Sequence, residues 1–192
     1  MDLYFLFIQI LGFIAWIILL LSYYGKDTNK ILVFQVLGTL LFCLHYYLLG
    51  AYSGLLICVL EVIRDYSYYK TDKDNYIFVG SVIVYIICSI VTYTTILDLF
   101  PYLASTIDGF FLTKKRKIVV FGAIVTYTLW FIYDLYARSY SGAITDMIII
   151  ISNLSILLFN FDIFGKNDGG PVTFRRWFKM LIIIFTYGKI LL

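Results

Sequence analysis

The chain has 192 residues, of which 62% are hydrophobic and only 14% charged, 15 Lys and Arg against 12 Asp and Glu, and its mean hydropathy is +0.92. That is too little polar surface to clothe a soluble globule, so the bilayer is the expected solvent for most of the chain. The net charge of +3 lies in short basic loops, which suit lipid headgroups and exclude an extended nucleic-acid surface.

Nearly continuous apolar runs without strand-like alternation predict helices, which pair every backbone amide internally. The first run reaches Tyr24 with Asp2 as its only charge and no small-residue cleavage site behind it, so it is expected to stay as a span. At about twenty apolar residues per crossing, spans are predicted at 3–24, 31–49, 53–69, 76–93, 96–112, 118–137 and 142–161. A polar connector, 162–174, then leads to 175–192, either an eighth span or an interfacial helix anchored by Arg175, Arg176 and Trp177. Cys43, Cys58 and Cys88 fall inside apolar runs without metal-ligand spacing and read as packed thiols.

The chain repeats itself. Advancing by 88 positions carries Leu41, Phe42, His45, Tyr52, Ser53 and Gly54 onto Leu129, Trp130, Tyr133, Tyr140, Ser141 and Gly142. Basic residues supply the orientation: Lys26, Lys30, Lys70, Lys73 and the run Lys114–Lys117 fall on one side with Lys166, Arg175 and Arg176, while Arg138 and Lys189 fall on the other. The positive-inside rule then puts the N-terminus outside. The Lys-rich loop after the first helix of each copy lies on the same side, so the copies point the same way and one inverting helix must separate them. The expected fold is an all-α polytopic membrane protein, a parallel repeat of two three-helix bundles, 1–70 and 94–161, joined by a linker helix at 76–93.

Ionisable residues inside spans cost on the order of 2.5 to 3.5 kcal/mol each and are the first candidates for function. Glu61, Arg64 and Asp65 share a helix at spacings that let Arg64 pair with Glu61. They either line a solute path or form a self-neutralised set with Arg64 and Asp65 snorkelling to headgroups. Asp146 and Asn153 are two turns apart on one face of the seventh span, Asp146 as a solute-facing carboxylate and Asn153 as a solute contact or an interhelical bond. Asp108 lies two turns beyond Pro101, a hinge candidate because proline frees a backbone carbonyl. Asp98 and Asp134 are expected near outer ends, in solvent. His45 either titrates beside a solute or is held by hydrogen bonds in the packing. Trp130, with Phe42 as its counterpart, could stack on a ring-shaped solute or simply pack. No nucleophile elbow, HExxH, CxxC, Walker loop or dinucleotide fingerprint occurs, so neither an enzyme nor a bound cofactor or metal is expected.

The sequence LFPYLASTIDGFFL in the fifth span, HYYLLGAY followed by LEVIR, and W-x-x-Y-D at Trp130–Asp134 resemble the bacterial inner-membrane YgjV family over about residues 8–160. That resemblance implies location and topology and brings no catalytic residue. In plan the chain is more distantly similar to SWEET, PQ-loop and PnuC-type transporters. The SWEET resemblance places Asp146, with Cys58 as its partner, near a solute-contacting asparagine, although neither residue is asparagine here. The expected function is passage of a small polar or cationic solute by alternating access between the two bundles in the bacterial inner membrane. The alternative is a non-transporting scaffold or lipid-binding protein. Expected partners are the bilayer, the solute and, as an option, a second copy of the chain.

Overall fold

The structure is a computed structural model that describes residues 3–22, 28–71, 74–111 and 116–159. The expected connector at 162–174 and terminal helix at 175–192 lie outside them. All regular structure among the described residues is helical: α1 Leu3–Ser22, α2 Thr28–Leu49, α3 Tyr52–Lys70, α4 Asp74–Thr92, a 3-10 turn Ile96–Leu99, α5 Phe100–Phe111, α6 Arg116–Tyr136 and α7 Tyr140–Phe159. Leu3–Leu21, Asn75–Thr92 and Ile118–Tyr136 are long and apolar enough to cross a membrane. On α4, Ile83, Ile86, Ile87, Ile90 and Val91 are all exposed, an apolar surface that suits acyl chains and would be costly in water.

One expected span is divided. Residues 96–112 read as a continuous helix, but the 3-10 turn takes its first residues and α5 has only 12, about 18 Å of helix against a hydrocarbon layer of about 30 Å. The cause is local: Thr95 and Asp98 form a capping box at the start of the turn. Pro101 therefore sits in the first turn of α5, where helical N–H groups lack intrahelical acceptors in any case. The mid-span kink that a hinge at Pro101 would need does not arise there.

The helices close into a ring. α1 packs on α2, α2 on α3, α3 on α5, α5 on α6, α6 on α7 and α7 back on α1, while α4 touches only α3, α5 and the 3-10 turn. Small residues let the backbones approach. A Cβ on Gly38 of α2 would lie 2.6 Å from Leu19 Cγ and 3.1 Å from the Ala15 carbonyl of α1.

Two turns at one end of the ring have the same construction. Gly50 and Arg138 both lie in the left-handed region, at φ 72° and 59°. Ala51 N–H donates to Tyr46 O and Gly50 N–H to Tyr47 O; 88 residues later Ser139 N–H donates to Asp134 O and Arg138 N–H to Leu135 O. Both are Schellman caps, which satisfy the last carbonyls of a helix and need a left-handed residue. Glycine meets that need at the first turn and arginine, at a cost, at the second. Beside the second turn α7 starts so close to α6 that a Cβ on Gly142 would fall 1.8 Å from Asp134 Oδ2.

Three substitutions separate these effects in thermal unfolding of the detergent-solubilised protein. Gly142→Ala is expected to destabilise by about 2–3 kcal/mol through overpacking and Gly50→Ala by about 1 kcal/mol through backbone strain. Arg138→Gly should be neutral or stabilise by up to about 1 kcal/mol.

Candidate functional site

At the turn end, side chains of α1–α3 reach across to α6 and α7. Gln9, a polar residue in an otherwise apolar helix, donates from Nε2 to Arg138 O at 2.9 Å and accepts from Ser141 N–H at 2.9 Å. His45 is fully buried, with Nδ1 2.9 Å from Ile8 O and Nε2 2.9 Å from Ser139 Oγ. Gly54 N–H donates to the Tyr133 hydroxyl at 2.8 Å, and the Tyr46 hydroxyl donates to Asp134 Oδ1 at 2.9 Å. These bonds satisfy polar groups that would be expensive to leave unpaired in the interior.

Two acids expected in solvent are therefore corrected. Asp134 is 1% exposed, held beneath the second turn by Tyr46. Asp98 is buried as well. It lies in the 3-10 turn that precedes α5 and accepts from the backbone and hydroxyls of Thr94 and Thr95 and from Ser53 Oγ.

Inside the ring lies a cavity of about 520 Å³, lined from α1, α2, α3, α5, α6 and α7 and by no residue of α4. Its turn end is bounded by Phe42, Tyr46, Trp130, Asp134, Gly142 and Asp146. Tyr46 stacks on Trp130 with ring centroids 5.9 Å apart and an interplanar angle of 26°, and on Phe42 at 6.2 Å and 28°. Asp146 is 7% exposed, and its Oδ2 is buried with no hydrogen-bond partner among the described residues. Asn153 lines the wall two turns further along α7 and donates from Nδ2 to Ile149 O at 2.9 Å.

The opposite end carries the charged cluster of α3 and α5. Arg64 does not take Glu61 as its ion-pair partner, as the helix spacing suggested. Its Nε lies 2.9 Å from Asp65 Oδ1 and its Nη2 3.3 Å from Asp108 Oδ2, and Nη1 donates to Ser105 O at 3.1 Å. Glu61 instead accepts a short hydrogen bond from Ser105 Oγ. Only 4% of the Arg64 side chain is exposed, so it does not snorkel to headgroups. Asp65, about half exposed, marks the accessible side.

The cavity thus brings together Glu61, Arg64, Asp108, Trp130, Asp146 and Asn153. His45 and Pro101 lie off it, the first in the turn-end network and the second in the first turn of α5. Sequence reasoning passed over Gln9, Ser105, and the pairing of Tyr46 with Asp134. The signal for the last was present, because the two residues are 88 positions apart, the repeat spacing itself. Among the described residues no three His, Cys, Asp or Glu side chains are grouped to hold a metal ion.

A ring of apolar helices around a cavity that carries acidic and aromatic side chains is the form of an integral membrane protein, and comparison with known families agrees. Residues 6–160 match the Imp-YgjV family, described as bacterial inner membrane protein, and the chain belongs to that family. No curated protein and no solved structure matches it.

The Arg64 cluster makes a testable demand. Arg64→Met leaves Asp108 without its cation and is expected to destabilise by about 3 kcal/mol, the low end for a broken buried pair because Asp108 is partly open to solvent. Adding Asp108→Asn should recover at least half of the loss, measured as a double-mutant cycle in thermal unfolding.

Proposed function

We propose that this inner-membrane protein is a small-solute transporter working by alternating access between two like-oriented helix triples, α1–α3 and α5–α7, with α4 as the inverting connector. The observation that carries the reading is the cavity. Both triples line it, α4 does not, and buried carboxylates face it. An ionisable residue inside a membrane bundle is expensive unless it serves a path or a site. Further support comes from the two Schellman turns 88 residues apart and from the cyclic packing in which α1 meets α7 as α3 meets α5.

In this reading all seven helices span the membrane, α5 together with its 3-10 turn, and the N-terminus is outside. The conformation is the one closed at the turn end, where Gln9, His45, Tyr46 and Gly54 of the first triple bond to α6, α7 and their turn. The solute is small and polar or cationic. A non-transporting scaffold or lipid-binding protein would pack its interior with apolar side chains and turn its acids to headgroups, and the burial of Asp134 and Asp146 speaks against that.

Flux measurements on proteoliposomes, with a panel of labelled sugars, amino acids and amines, test the proposal. At least one solute should accumulate with the protein and not in empty vesicles. Asp146→Asn and Glu61→Gln should each cut that flux by about tenfold or more; unchanged flux in both variants removes these residues from the path.

Topology is tested separately. Lys26→Cys and Lys115→Cys should react with a membrane-impermeant maleimide from the same side, and labelling from opposite sides would end the like-oriented arrangement.

A further inference from the structure

We infer that the turn end of the cavity binds an organic ammonium ion between Asp134 and Asp146, with its apolar body against the stacked rings of Tyr46 and Trp130. The inference rests on the transport reading only for the route by which the ion would enter and leave.

The charge balance of the cavity carries the argument. Among the described residues its lining holds the acids Glu61, Asp65, Asp108, Asp134 and Asp146 but a single base, Arg64. That base is engaged with Asp65, Asp108 and the Ser105 carbonyl, and it lies six residues, about 9 Å, farther along α3 than the turn-end residue Cys58. The turn end thus has two carboxyl groups in its lining and, among the described residues, no cation to neutralise them. Asp134 has the hydroxyls of Tyr46 and Ser139. Asp146 Oδ2 is buried and takes no hydrogen bond from another described residue, although a buried polar oxygen calls for a donor.

The surroundings select the kind of cation. Calcium and magnesium want six or more oxygen ligands and zinc about four, and no group of three or more candidate metal-binding side chains occurs among the described residues. Two carboxylates at the end of a cavity that Tyr46 and Trp130 also line, their rings stacked at 5.9 Å, instead match a substituted ammonium. Its charge meets the acids and the electron-rich aromatic wall, and its carbon skeleton packs on the same rings. The cavity volume of about 520 Å³ falls within the range of small-molecule sites, roughly 300 to 1,000 Å³.

Isothermal titration of the full chain in lipid nanodiscs, with empty nanodiscs as baseline, tests this using phenethylammonium, neutral 2-phenylethanol and anionic phenylacetate. The expected result is saturable binding of the ammonium compound alone. Its affinity should fall by about tenfold or more in Asp146→Asn and by about threefold or more in Trp130→Leu. In the wild-type protein, excess tetramethylammonium should displace it. Equal affinity for 2-phenylethanol, wild-type affinity in both variants, or failure of tetramethylammonium to compete would each overturn the assignment. Ammonium binding without flux of any solute would remove the transport reading and leave this site standing; flux of neutral solutes without ammonium binding would do the reverse.

Discussion

The hydrogen bond from Tyr46 to Asp134 joins the two halves of the ring at the floor of the turn end. A carboxyl group that is 1% exposed inside an apolar bundle needs a donor, and the donor comes from the other half of the chain, 88 residues earlier. In the two-copy arrangement proposed above, residues at equivalent positions approach each other only near the axis relating the copies. The Tyr46–Asp134 contact then marks that axis, and the stacked rings and the unpartnered Asp146 oxygen lie beside it.

The same end of the molecule is polar where a static bundle would use interlocking apolar side chains. Five hydrogen bonds cross it: two through Gln9 and one each from His45, Tyr46 and Gly54. Each contributes roughly 0.5–1.5 kcal/mol net when water can replace the partner, so the whole closure is worth on the order of 5 kcal/mol. That is comparable with the differential binding of about 5.5 kcal/mol that moves a two-state equilibrium from one side to the other. A cap of this strength holds the end shut yet leaves it within reach of a ligand. The Arg64 cluster has the complementary place, tying α3 to α5 at the opposite end through Ser105 and Asp108.

Much of the architecture is legible in the sequence because span length and apolar composition are local properties. The seven predicted segments correspond to the seven helices, and the shift of 88 residues lands on the two turns where Gly50 and Arg138 take the same conformation. What the sequence hides is which helix supplies each partner. Helical spacing relates residues three and four apart on one helix, so Glu61 looked like the partner of Arg64, whereas Ser105 and Asp108 are more than forty residues away. Closeness to a helix end suggested water around Asp98 and Asp134, but each is covered by a turn and by donors from elsewhere. Pro101 inside a predicted span suggested a hinge because the 3-10 turn that starts the segment anew, through Thr95 and Asp98, was not recognised.

The two poles of the cavity can be compared as electrostatic problems. At one, Asp65 and Asp108 are neutralised by a guanidinium that the chain itself provides, oriented by a backbone carbonyl. At the other, Asp134 and Asp146 have the hydroxyls of Tyr46 and Ser139 and aromatic neighbours but, among the described residues, no cation of their own. A carboxylate far from water is costly until a positive charge arrives, and that cost differs between states of the protein if one state admits water to the site. Occupancy by an ammonium ion would therefore bias the conformational equilibrium as well as fill a space, since only an interaction that differs between two states can shift their populations. In the proposed reading the protein supplies a cation at one pole and a solute supplies it at the other, and that asymmetry would link binding to movement.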